Sequence, residues 1–499
     1  MHESLTADWT AGNGAPVLLS LPIIVPLLVG AAAALIGWRR GPAWMTVGAS
    51  AAIALCGVAT AVATVDGSVI SAGPLRADAL SAIMLLTVGV VAVVATWAGI
   101  YHIDADINAG RSDPRRARFY GMGVPLFLAS ASLAVLAGNL GVLWTAIEAM
   151  TILAAFLIGL AGTRTSWEAK WKYVVIASVG LALACVGTVL VYVAATTGHR
   201  SLDWAYLSMH AAQLDRGVLR IAFPLLLIGF GAMAGLVPLH SWLPDAHGQA
   251  PAPVSALMSG CLLSVAVYAL LRYHSVVMVS LGPGFLRVVL LAVALASLVI
   301  AASMLLAQRD YMRLLAYSSM QYMALAVFGL AIGTPIAVAA TLLHLLGHGL
   351  GKAILFCGAG QICAREGSTE FAHLRAILSR HPTVAGISAL ALAALLGFPP
   401  FSPFASMHTL LSAGLDSGLT IPTVLVATTI VVIFIAVVAR VTPMFFSPAP
   451  QAAALPYLSS SRAQIAPLVV GLIGLALLGT LSFSLQHLLM TAGMIVTGR

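Results

Sequence analysis

Two ionisable residues lie in the middle of long apolar runs: Glu148, in Leu143-Trp-Thr-Ala-Ile-Glu-Ala-Met-Thr151, and Lys352, in Gly351-Lys-Ala-Ile-Leu355. A charge at the centre of a bilayer costs at least about 2.5–3.5 kcal/mol, so such groups face a protein interior and mark ion or proton routes. His344 and His348 precede Lys352 at intervals of four, which puts all three on one face of a helix. Histidine titrates near neutral pH, and a lysine sheltered from water releases its proton more readily than one in bulk water. A row of such groups can hand protons along through intervening water. The competing accounts are a structural carboxyl at Glu148 and a polar packing stripe at the row. No carboxylate or cysteine joins the two histidines, which argues against a metal site.

Other chemistry-bearing residues sit near proline-rich segments and span ends. His240, Asp245 and His247 lie in Leu236-Val-Pro-Leu-His-Ser-Trp-Leu-Pro-Asp-Ala-His247, placed either to admit protons or to cap interrupted helix ends. Lys172, four residues after Glu168, reads as a side chain reaching the interface. Asp310 and Arg313 read as a local ion pair at a membrane edge. Gly347-His-Gly-Leu-Gly-Lys352 is not a phosphate-binding loop: position 346 is leucine and Ala353 follows the lysine. Its glycines fit close helix contact instead. Gly229-Phe-Gly231 has no preceding strand and reads as no dinucleotide motif. Cys56, Cys185, Cys261, Cys357 and Cys363 form no CxxC pair and read as packing residues, so no redox cofactor or metal is expected in this chain.

The elements that position these residues follow from composition. Of 499 residues, 61% are apolar and 8% charged, against roughly 25% charged in an ordinary soluble domain. Too few charges remain to cover a soluble surface, which excludes a soluble enzyme, a nucleic-acid binder or a disordered chain. A spanning helix needs about 20 apolar residues. On that rule about 14 transmembrane helices are expected, near 16–37, 43–64, 78–100, 119–137, 139–161, 170–196, 219–239, 251–272, 286–307, 313–333, 336–363, 383–413, 421–443 and 464–489. The 24 Lys and Arg are uneven. With the N-terminus outside, the inner loops gather Arg39, Arg40, Arg111, Arg115, Arg116 and Arg118 among others, while Arg76, Arg200, Arg216 and Arg272 fall outside. This bias predicts both termini on the non-cytoplasmic side and explains the basic pI of about 9.5 as topology. Glu3 and Asp8, with no nearby Lys or Arg, are the reverse of a signal-peptide start.

Prolines interrupt two segments, one around Pro238 and Pro244 and one in Gly397-Phe-Pro-Pro-Phe-Ser-Pro-Phe404. Proline removes a backbone donor and clashes with the preceding turn, and freed carbonyls at membrane depth need partners. One broken helix in each half is a pointer to a transporter built from inverted repeats.

The stretch Val237-Pro-Leu-His-Ser-Trp-Leu-Pro-Asp-Ala-His-Gly-Gln-Ala-Pro251 resembles the signature of the antiporter-like proton-channel subunits, with Trp144…Glu148, Trp171-Lys-Tyr173, Arg313-Leu-Leu-Ala-Tyr-Ser-Ser319, His344…Lys352 and Gly397-Phe-Pro-Pro-Phe401 following the same family order. That family covers complex I membrane-arm subunits, cation/proton antiporters and group 4 hydrogenase membrane subunits. The wording is most similar to the hydrogenase-4-type membrane subunit. The resemblance implies an all-α polytopic membrane protein with two inverted five-helix repeats, each containing a broken helix. Residues 1–118 would hold the N-terminal helices, 119–272 and 286–443 the repeats, and 464–499 the last helix. It also implies a multi-pass protein of the cell inner (plasma) membrane. Its partners would be other membrane-arm subunits and a peripheral oxidoreductase arm, hydrogenase or NADH-quinone type.

The sequence departs from the family at three positions. Met233, Ser264 and Met407 stand where a lysine, a lysine and a lysine or glutamate are usual, with His408 beside the last. Methionine carries no proton, and Glu148 loses its usual lysine partner. Two main readings follow. In the first, a proton-translocating subunit uses Glu148, Lys172, His240, His247, His344, His348, Lys352 and His408. In the second, a structural membrane-arm subunit no longer pumps. An ion or bicarbonate-linked transporter subunit is the remaining alternative.

Overall fold

A computed structural model describes residues 14–195, 200–447 and 461–498. The expectations about Glu3, Asp8 and Arg499 lie outside the described residues. Nineteen helices run in chain order among the described residues. They are α1 Gly14–Ile36, α2 Arg40–Thr64, α3 Ala79–Asn108, α4 Pro114–Leu136, α5 Leu140–Ile158, α6 Arg164–Ala194, α7 Trp204–Met209, α8 Arg216–Met233, α9 Leu243–Gln249 and α10 Ala252–Leu281. There follow α11 Pro283–Ala307, α12 Tyr311–Ile332, α13 Pro335–Glu366, α14 Ile377–Arg380, α15 Pro382–Leu395, α16 Ser402–Asp416, α17 Thr420–Phe446, α18 Arg462–Thr480 and α19 Gln486–Thr497. One small antiparallel hairpin, β1 Ile70–Ala72 with β2 Leu75–Ala77, precedes α3.

Among the described residues thirteen helices are long and apolar enough to cross a membrane, so this is a multi-pass membrane protein. The expected span 383–413 is the exception, because it is divided into α15 and α16. The expected seventh span stops at Met233, ahead of the first proline-rich break.

The two breaks close alike. After α8, Gly235 donates to Ala232 and Leu236 to Gly231; after α15, Gly397 donates to Ala394 and Phe398 to Ala393. Gly235 and Gly397 both have left-handed backbone, at φ +72° and +83°, which favours glycine. The last carbonyls find aromatic donors: Trp242 Nε1 reaches Ala232 O at 2.8 Å, and Tyr322 Oη reaches Leu395 O at 2.5 Å. The caps also recur in order. Asn139 caps α5 and Thr163 caps α6; after the same interval, Asp310 caps α12 and Thr334 caps α13.

α10, α12 and α13 are buried on nearly every side, whereas α1, α17 and α18 lie at the periphery. Close approach at the centre depends on small residues, since apolar burial gives helices little reason to associate in lipid. A Cβ at Gly347 would meet Ser402 Oγ at 2.5 Å, one at Gly351 would meet Leu395 Cδ2 at 2.7 Å, and one at Gly349 would meet Val91 Cγ2 at 2.8 Å. The glycines around His348 therefore let α3, α15 and α16 press against α13.

Candidate functional site

The spacing of His344, His348 and Lys352 becomes a buried row because α13 is enclosed along its length. All three side chains are fully buried. Tyr322 on α12 stacks on both imidazoles, with centroids 4.4 Å from His344 and 4.8 Å from His348. His344 Nδ1 meets Ser406 Oγ at 3.0 Å, which ties the row to broken α16. His344 Nε2 and both ring nitrogens of His348 have no hydrogen-bond partner among the described residues. Lys352 Nζ donates to Leu315 O at 2.7 Å and to Ser318 Oγ. These acceptors belong to the Arg313–Ser319 motif of α12.

From Lys352 the polar lining continues toward the first half. Ser319, next to Ser318, shares a 2.8 Å hydrogen bond with Ser259 of α10. Ser259 lies in a π-helical turn, Met258–Leu262, inside α10. Such turns recur at functional sites. Ser264, one turn beyond, is buried, and its hydroxyl has no hydrogen-bond partner among the described residues. Serine thus stands on the polar side of α10, where the family's lysine is expected.

His247 approaches the row from α9. It is fully buried, its ring lies 5.4 Å from Phe356 of α13, and its Nε2 has no partner among the described residues. His240 is half-buried in the segment before α9. Trp242, rather than either histidine, satisfies the open end of α8.

Asp245 organises the nearby charges. Its carboxylate meets Lys172 Nζ of α6 and Arg313 Nη2 of α12, each at 3.0 Å, and Lys172 also meets Glu168 at 3.0 Å. This corrects the expected Asp310–Arg313 pair: the Asp310 carboxylate instead caps α12, accepting the Arg313 backbone N–H at 2.9 Å. A side chain that caps its own helix cannot also follow the arginine outward.

Two expected members stand apart from the row. Glu148 is half-buried on α5 and makes no hydrogen bond or ion pair with described residues. Nearby, Met233 is fully buried and accepts a 3.9 Å contact from Thr151 Oγ1. His408 is exposed and faces Phe404; Met407 holds the inward position, 3.4 Å from where a Cβ at Gly397 would stand.

Two ionic features lie outside the sequence-based expectations. Arg272, placed by span counting in an outer loop, is buried within the longer α10 and binds Asp78 through Nη1 and Nη2, each at 2.6 Å. Trp204 covers the guanidinium at 4.3 Å. At the far end of α3, His102 Nε2 lies 3.5 Å from Asp106, which Arg111 grips at 2.7 and 2.9 Å. The i, i+4 spacing of His102 and Asp106 was the available signal. They line a cavity of about 150 Å³ that also touches Gly360, two turns along α13 from Lys352. A second cavity of about 710 Å³ shares His102, Asp106 and Gly360. Among the described residues no group of three His, Cys, Asp or Glu is arranged to hold a metal ion.

A buried titratable row beside paired broken helices in a polytopic bundle defines an antiporter-like membrane subunit. The chain belongs to the transmembrane family of NADH:quinone oxidoreductase and Mrp antiporter, whose pattern matches residues 137–435. It is 36% identical over 342 residues to the hydrogenase-4 component F homolog of Methylacidiphilum infernorum, covering 67% of this chain and 71% of that one. It is 30% identical over 363 residues to an Na(+)/H(+) antiporter subunit of Alkalihalophilus pseudofirmus, covering 72% and 71%. One chain of the archaeal membrane-bound sulfane sulfur reductase shares its fold, with TM-score 0.84, 24% identity and 97% of each chain covered.

Proposed function

We propose that this protein is a proton-translocating, antiporter-like membrane subunit of a respiratory redox complex. Electron transfer in partner subunits would drive protons along His344, His348 and Lys352. The enclosed row carries this reading: three titratable groups, unpartnered ring nitrogens and a stacked tyrosine have no need of one another in a merely structural helix. Glycine packing around the row excludes lipid and leaves its polar atoms to exchange protons with water or with one another.

In this reading protons enter from the cavities beside His102 and Asp106 and reach Lys352 past Gly360 and His247. That end also gathers Arg39, Arg40, Arg111 and Arg115, which supports its assignment to the cytoplasmic side and both termini to the other side. His240, half-buried before α9, and Lys172, held by Asp245, lie outside the linings of both cavities and would join the route on the side of His247. Ser318, Ser319, Ser259 and Ser264 provide hydroxyls between Lys352 and the first half, Ser264 at a position of a missing lysine, while Glu148 and the exposed His408 stand apart from this path. The matching closures and caps support two repeats, 119–272 and 286–443, flanked by 1–118 and 464–499.

The subunit relationship of its relatives supports partners in a membrane arm, a peripheral redox arm and residence in the cell membrane. Reconstituted with those partners, Lys352→Met should abolish redox-driven acidification of vesicles while electron transfer continues. Undiminished acidification would overturn the relay and favour the structural role, which the buried Met233 and Met407 would then fit.

A further inference from the structure

One groove lies away from the row. Between α4 and the turn from α5 to α6, a groove of about 690 Å³ is walled by Phe119, Met122, Leu153, Phe156 and Leu157. These residues sit on long apolar helices, so the wall runs at the depth of acyl chains. Its rim carries Arg115, Arg116 and Lys170 against a single carboxylate, Asp113.

The rim charges differ in how they are spent. Asp113 caps α4 by accepting the Arg116 backbone N–H at 2.7 Å, and it also lies 3.5 Å from Arg116 Nε. Arg116 Nη1 donates to Ala161 O at 3.1 Å. Arg115 and Lys170 have no carboxylate partner among the described residues. Lys170 Nζ is nonetheless held in place, 4.8 Å from the Phe156 ring centre and 4.7 Å from that of Trp167. Cation–π contact keeps an ammonium fixed without neutralising it. Two unneutralised cations therefore stand at the mouth of an apolar slot, with a tryptophan at headgroup level. A second apolar groove, about 440 Å³ between α3, α13 and α18, has no charged residue in its lining.

We propose that the α4–α6 groove binds one anionic phospholipid, its phosphate between Arg115 and Lys170 and one acyl chain along Phe119 and Leu153. The rim chemistry selects the headgroup, since basic pockets between membrane helices recognise anionic lipids.

The test is native mass spectrometry of the full chain in neutral detergent, titrated with phosphatidylglycerol or phosphatidylcholine. One phosphatidylglycerol should be retained in preference to phosphatidylcholine. Arg115→Gln with Lys170→Gln should weaken that retention roughly 30-fold, at about 1 kcal/mol per basic residue. Arg115→Gln alone, at an exposed residue with no partner to lose, should weaken it about 5-fold and controls for folding. Equal retention of the two lipids, or unchanged retention in the double variant, would overturn the proposal. Displacement of phosphatidylglycerol by millimolar inorganic phosphate would also overturn it, marking a simple anion site. So would crosslinks that place a partner protein in the groove within the assembled complex.

Discussion

At Asp78 and Arg272, two opposite charges meet with 1% and 2% of their side chains exposed. Burial opposes ionisation of the Asp78 carboxyl, but the Arg272 charge and its hydrogen bonds outweigh this and hold the carboxyl below its usual range. A carboxyl depressed on folding stabilises the fold above its unfolded value, near pH 4, and that stability drains as pH falls through the lower folded value. Asp78→Asn leaves Arg272 buried without its counter-charge and should cost about 3–5 kcal/mol at neutral pH. Thermal unfolding in detergent should show the gap between wild type and variant narrowing toward acid, where Asp78 itself becomes neutral. A gap of equal size at every pH would show that the ion pair is not its source. The pair was invisible in sequence because its members lie far apart and Arg272 sits near a span end. The His344–Lys352 row was legible because four-residue spacing on a helix determines a common face.

At the scale of elements, α6 and α8 meet through small residues. A Cβ at Gly229 would lie 2.6 Å from both Ala184 N and Gly180 O, and one at Gly187 would lie 2.7 Å from Leu226. The obstacle at Gly229 is backbone, which cannot swing aside as a side chain does. Gly229→Ala should therefore force the helices apart and cost about 1–3 kcal/mol, measured by denaturant or thermal unfolding in detergent. An unchanged melting temperature would show that this contact yields easily. The broken helices belong to the same scale. Prolines marked where they occur, but the donors that satisfy them differ in origin: Trp242 lies in the first break itself, whereas Tyr322 reaches the second from the remote α12. Sequence offered His240, Asp245 and His247 as possible caps; Trp242, equally near along the chain, is the donor, and which of these side chains turns toward Ala232 is set by packing rather than by proximity.

At the scale of the whole molecule, many large apolar side chains face outward, among them Phe156, Trp171, Val288 and Ile421. Such a surface suits lipid, and in the proposed complex a membrane-arm neighbour would bury part of it. Gentle extraction from native membranes should recover other membrane-arm subunits together with a redox-carrying partner, identified by mass spectrometry. Recovery of this chain alone would count against membership in a larger complex. Asp245 bears on the same scale: by joining Lys172 of α6 to Arg313 of α12 it links the two proposed repeats across the bundle.

The sequence by itself determined the class of protein, the approximate placement of most of its spans, the positions of both breaks and the common face of His344, His348 and Lys352. Hydropathy, proline chemistry and helical period are local and survive in one dimension. Only the tertiary structure decided which charges are buried together and which polar atoms remain open. It turned Arg272 inward, gave Arg313 to Asp245, sent His408 outward and filled the inward positions with Met233 and Met407. Those outcomes depend on helix-to-helix distance and rotation, set by glycine contacts between segments remote in the chain, and no local pattern encodes them.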